Sequence, residues 1–295
     1  MKKRFTMFDI VLTIFMIIVS IVTIYPFLNV LAVSFNDATD TVKGGIHIWP
    51  RVFTLQNYKE IFAGSSKLPH GFLISILRTV IGTVTGVLAT AMVAFVLSRR
   101  EFIFNKIVTI LFVVTMYVGG GLIPSYMLIR NLGLVNHFAV YIIPGLIGTF
   151  NVILIRSFID GLPPALNESA MIDGANYFVI FTKIVMPLCL PVIATVALFL
   201  AVGQWNSWFD TYLYAGQNDA LTTLQYELMK VLGAASASAS AAQMNPNDPA
   251  MQAAAVNPES IKMAITMIAT GPILFVYPFV QKYFLTGMTL GAVKS

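Results

Sequence analysis

Glu168, Asp173 and Gly174 fall within seven positions of one another, in a short polar stretch bounded by apolar runs. Pro163 and Pro164 precede them and suit the start of a helix, where a missing N–H costs nothing. The pattern from Leu166 through Ala170 and Met171 to Asp173–Gly174 predicts a helix of about two to three turns. Glu168 sits in its first turn, where the positive end of the helix dipole favours an acid. Gly174 can take positive φ and end the helix sharply. A second helix is expected from near Tyr177, with Pro187 and Pro191 able to kink it. Such a segment supplies a charged surface helix joined stiffly to a longer one, which suits pushing or being pushed. An ordinary loop carrying an amphipathic helix has the same shape.

Reaction chemistry has little to work with elsewhere. His47, His70 and His137 are dispersed, and Cys189 is the single cysteine, so neither an intrachain disulfide nor a metal-binding cluster is expected. No Gly-Lys pair occurs, so there is no phosphate-binding loop of the nucleotide-hydrolysing type. No catalytic residue and no metal site is expected.

The elements that must position this segment are membrane spans. The chain has 295 residues, 57% hydrophobic and 11% charged, with a mean hydropathy of +0.81. Soluble domains are about a quarter charged, and apolar surface left in water costs roughly 25 cal/mol per Å². Six runs are long enough for a spanning helix of about 20 residues: 10–34, 71–97, 107–129, 138–155, 184–202 and 265–284. They do not alternate, so a β-barrel is not expected. The basic N-terminus is read as the flank of a retained first helix, because the following apolar run is too long for a signal peptide.

With the N-terminus inside, about 60 inside positions hold ten basic residues, against seven in about 105 outside. This favours an all-α membrane protein with both termini inside. The net charge of +5 is scattered at span ends, so nucleic acid is not an expected partner. The outer loops are 35–70, expected to form a small cap, and 203–264. The Ala/Ser tract Gly233–Val256 within the second is expected to be a loose segment, despite alanines that support helix. Arg78 lies well inside the second span, where it either snorkels or serves a pore or subunit interface.

The segment 161–187 resembles the EAA loop of ABC importer permeases. Glu168-Ser169-Ala170 is followed by three residues and Gly174, and nine residues later by Ile184-Val185-Met186-Pro187. Ser169 and Met186 are the departures from the pattern, which otherwise has Ala and Leu. Over nearly its whole length the chain is similar to the maltose-permease-like carbohydrate branch, and within it to complex-saccharide importers. Gln204-Trp205-Asn206, Thr223-Leu224-Gln225 and the segments from Asn257 to Lys294 carry that similarity.

The resemblance implies a type I ABC importer permease fold. Ala165–Asn176 would then be the coupling helix. Glu168, Ser169, Ala170, Asp173, Gly174, Ile184 and Pro187 would form the ATPase-coupling site. It further implies a second permease, two ATP-binding subunits that carry ATP and Mg, an extracytoplasmic solute-binding protein and an oligosaccharide substrate from polysaccharide breakdown, such as alginate or pectin. No cofactor is expected on this chain, and the tail Thr286–Ser295 would reach the ATPase. The expected location is the bacterial inner membrane, multi-pass and surrounded by lipid. Asn151, Gln204, Trp205 and Asn206 are the candidate substrate-pathway residues, the last three also fitting an interfacial aromatic belt.

An ion-driven secondary transporter or channel is the alternative. It is disfavoured because no Asp or Glu falls at a span centre. A membrane enzyme is disfavoured because no nucleophile, base or metal ligands converge. A sensor or assembly scaffold would need no coupling helix contacting an ATPase, so copurification separates it.

Overall fold

The computed structural model describes residues 6–62, 67–244 and 258–292. Among these the chain is helical, and the only β pairing is a single antiparallel bridge between Asn36 and Phe53. The chain divides into two compact units, one of Met1–Pro69 with Glu227–Pro272, the other of His70–Tyr226 with Ile273–Ser295.

The first unit opens with α1, Met7–Ser34, an apolar helix through Pro26. Its most apolar window has no buried residue, as suits a helix whose solvent is lipid. Thr6 and Asp9 form a capping box at its start. A small cap does follow, built from α2 (Ala38–Thr41) and α3 (Gln56–Phe62). Buried Asn36 organises it, accepting from the Val52 amide at 2.9 Å and donating to Asp40 at 3.2 Å. Arg51 Nε donates to Asp40 at 2.9 Å and its Nη2 to the Gly44 carbonyl at 2.7 Å. The hydrogen bond from Asn36, then that from Arg51, holds the Asp40 carboxyl below its ordinary value. The unit is completed by the 227–244 part of α12 (Leu224–Met244) and the start of α13 (Pro258–Ala292). Ile61 packs there with Ala264 and Ile265.

Helix α12 corrects one expectation: the backbone stays helical from Gly233 to Met244. The alanines dominate the serines, because alanine has no side-chain entropy to lose in a helix. The rest of the tract, 245–256, lies outside the described residues.

In the second unit, α4 (Leu68–Ser98) is the long apolar helix. The run 107–129 is not one helix but two, α5 (Asn105–Tyr117) and α6 (Leu122–Asn131). Gly119-Gly120-Gly121 separates them, with Gly121 at φ +81°. The run 138–155 likewise divides into a 3₁₀ turn at Phe138–Tyr141 and α7 (Thr149–Asp160). Pro144, Gly145 and Gly148 in between supply helix breakers.

After the short helix α8 (Ala165–Ile172), the chain runs through α9 (Tyr177–Val179), a π turn at Ile180–Val185 and α10 (Met186–Leu188) into α11 (Leu190–Asn206). The expected kink is an 83° bend at Cys189. Pro187 and Pro191 remove two N–H donors on either side of it. Two described helices, α1 and α4, are individually long and apolar enough to cross a membrane, and the bent α9–α11 pair makes a third. The core of this unit joins Ala91, Ala94 and Phe95 of α4, Val152 and Ile155 of α7, and Ile180 to Val196 of the bent pair.

Candidate functional site: the α8 loop and its supports

Helix α8 is the predicted surface helix, eight residues long. Pro164 occupies its N-cap position with φ −56° and ψ −33°. Its far end closes as a Schellman motif. The Gly174 amide donates to Met171 O at 3.0 Å, and the Ala175 amide to Ala170 O at 2.9 Å. Gly174 has φ +80°, a conformation that an L side chain resists. Asn176 then caps the next helix by accepting from the Val179 amide at 2.9 Å.

The motif residues divide by role. Ala170 is buried in the core of the second unit and Ile184 packs against it. Glu168, Asp173 and Pro187 are exposed. Ser169 is exposed too, its hydroxyl donating to Leu166 O at 3.3 Å. That explains why a serine fits the middle position: nothing packs on it. So Ala170 roots the helix while two carboxylates stand free on its surface.

Beside α8 lies a cavity of about 460 Å³, lined by Arg99, Arg100, Arg156, Asp160, Asn167 and Glu168 among others. Asn167 Oδ1 is buried there with no hydrogen-bond partner among the described residues. Burial lowers the Arg99 guanidinium from its ordinary value, opposed by the charge of Glu101.

The pathway candidates fare differently from one another. Gln204 is fully engaged: Oε1 accepts from Arg78 Nε and Nη2 at 3.1 and 3.0 Å, and Nε2 donates to Tyr141 O at 3.0 Å. Trp205 is buried and meets Phe72 edge-on at 5.9 Å. Asn206 is exposed, and Asn151 on α7 is half-buried. The structure thus places Gln204 and Trp205 within the packing and leaves Asn151 and Asn206 at more accessible positions.

Arg78 does not snorkel. It is 2% exposed and paired with Asp210 through both carboxylate oxygens. Its guanidinium carbon lies 4.4 Å from the centre of the Tyr141 ring. Sequence reasoning placed Asp210 beyond a span end and missed this pair. A lone arginine in an apolar run does demand a carboxylate, but 132 residues separate the two.

These features define an all-helical membrane permease fold carrying an EAA-type loop. The relatives agree. The Polygalacturonan/rhamnogalacturonan transport system permease protein YtcP of Bacillus subtilis (strain 168) is 36% identical over 100% of both chains. Protein LplC of the same organism is 38% identical over 99% of this chain and 97% of that protein. A solved structure, of a bacterial ABC transporter involved in the import of the acidic polysaccharide alginate, superposes with a TM-score of 0.82. It is 25% identical and covers 96% of this chain and 100% of that one. No protein-family model matches. The chain belongs to the permease family of carbohydrate ABC import systems; it is a transporter subunit, not an enzyme.

Proposed function

We propose that this chain forms half of the translocation pathway of an ATP-driven importer and couples to an ATPase through α8. The observation that carries this reading is the α8 loop itself. An EAA-spaced helix is rooted by Ala170 and closed by Gly174, and it leaves Glu168 and Asp173 free for a partner.

The chain works as one permease domain with six spans, 10–34, 71–97, 107–129, 138–155, 184–202 and 265–284, both termini in the cytoplasm. The breaks in the third, fourth and fifth are compatible with spanning, because irregular backbone is tolerated where protein or water covers it. The distribution of basic residues supports this orientation. It sits in the bacterial inner membrane with a second permease. Two ATP-binding subunits hold ATP and Mg, and an extracytoplasmic binding protein delivers substrate. The substrate is an oligosaccharide released from a polysaccharide such as pectin or alginate. Support comes from the names of relatives, which include polygalacturonan/rhamnogalacturonan and arabinooligosaccharide permeases. Asn151 and Asn206 offer it accessible amides, while Gln204 and Trp205 shape the wall behind them.

The test is copurification with the neighbouring permease and ATPase. Wild type retains the ATPase; Glu168→Lys and Gly174→Pro lose it while the two permeases stay paired. Failure of folded wild-type permeases to retain any ATPase would return the ion-driven alternative to consideration.

A further inference from the structure

The end of α7 that leads into α8 is tied to two other helices by three side chains that the coupling motif does not include. Asn105, the first residue of α5, donates through Nδ2 to Leu97 O at 2.7 Å and Arg99 O at 3.0 Å. Leu97 lies in the last turn of α4, where the helix leaves its final acceptors without intrahelical donors, and Arg99 follows its last residue, Ser98. Asn105 Oδ1 accepts from Arg156 Nη2 at 3.2 Å and from Thr109 Oγ1 at 3.3 Å. Arg156 Nη1 donates to the same Thr109 hydroxyl at 2.7 Å. Asn105, Thr109 and Arg156 thus close a ring across α5 and α7, with α4 held by the remaining amide donors. At the opposite end of the pair, Thr149 Oγ1 donates to Phe112 O at 3.3 Å and meets Thr115 Oγ1 at 3.1 Å. Helices α5 and α7 are therefore antiparallel and bonded at both ends. Only Gly161–Pro164 separates α7 from α8.

We propose that Asn105 and Thr109 are positioning residues of the coupling machinery. Through Arg156 they bind α4, α5 and α7 into one body, so that displacement of α8 moves three helices together rather than α7 alone. Apolar contacts between these helices can slide. A ring of directional bonds that includes a charged donor resists sliding. This inference rests on reading α8 as the coupling helix.

The experiment uses the complete importer in lipid nanodiscs and proteoliposomes. It compares wild type with Asn105→Ala, Thr109→Val, Thr109→Ser and Glu168→Lys. Thr109→Val keeps the side-chain shape and removes the hydroxyl; Thr109→Ser restores it. The readout is substrate imported per ATP hydrolysed, with assembly and thermal midpoint measured alongside. In assembled complexes Asn105→Ala and Thr109→Val are expected to lower that ratio about tenfold, the equivalent of one hydrogen bond to a charged group, while Thr109→Ser keeps it. If Asn105→Ala does not assemble, the Thr109 pair decides. A wild-type ratio in Thr109→Val overturns the proposal, provided Glu168→Lys releases the ATPase. If Glu168→Lys leaves the ATPase bound and active, the coupling-helix reading itself fails and takes this inference with it.

Discussion

The two ends of α4 are built on opposite principles. Near its start, Arg78 is sealed: 2% exposed, paired to Asp210, hydrogen-bonded to Gln204 and stacked on Tyr141. About 30 Å along the helix, the end at Ser98 borders an open cavity of about 460 Å³, with Arg100, Asp160 and Glu168 exposed around it. Both ends use arginine and carboxylate. One arrangement buries the guanidinium and gives each of its N–H groups an acceptor, as a buried charge requires, with Asp210 23% exposed beside it. The other leaves charges exposed and Asn167 Oδ1 with no partner among the described residues. The first is a fixed joint; the second is an open polar surface, the one proposed above to meet the ATPase.

That contrast can be broken by substitution. The largest effect is expected at the sealed end. Asp210→Ala strips a buried guanidinium of its counter-charge and should destabilise the chain by about 3–5 kcal/mol. Thermal unfolding in detergent measures it, and a loss below 1 kcal/mol would mean that Arg78 finds another partner or water. Next comes Gly82, where an added Cβ would lie 2.8 Å from Cδ and Nε2 of Gln204. Gly82→Ala should cost about 1–3 kcal/mol, because the displaced amide is the one that holds Arg78. Additivity of Gly82→Ala with Asp210→Ala would show that the two are not one network.

At the open end, stability should respond less. Arg156 is 26% exposed and its partner Asp160 48%. Arg156→Met is expected to cost about 1 kcal/mol, with its larger consequence in coupling. A stability loss equal to that of Asp210→Ala would erase the distinction between the two ends.

The smallest effect is in the cap of the first unit. The Asp40 carboxyl is lowered in the folded chain, so its contribution is fully present above about pH 4, the unfolded aspartate value. It is lost only as pH falls through the lower folded value. Limited proteolysis of the segment 37–55 should therefore stay constant down to about pH 4 and rise below it. In Asp40→Asn this rise should shrink to the part that Asp37, also lowered by the hydrogen bonds it accepts from Thr39, contributes.

Much of the site was legible in the sequence because its signals are local. Pro163-Pro164, the acid at 168 and Gly174 each act within one or two helical turns, so their spacing alone predicts where α8 starts and stops. The kink near Pro187 and Pro191 was legible for the same reason. Composition fixed the membrane class, since no water-soluble fold can cover so much apolar surface. Local patterns were less decisive where two tendencies competed: alanine outweighed serine in α12, and glycines divided a run that hydropathy reads as one span. What only the tertiary structure decided were the long-range pairs. Nothing near Arg78 in the chain points to Asp210. Nothing near Asn105 points to Arg156, 51 residues away. A charge in an apolar run announces that it needs a partner, but which of the few candidates it meets is set by helix packing, where bonds form between residues the sequence keeps far apart.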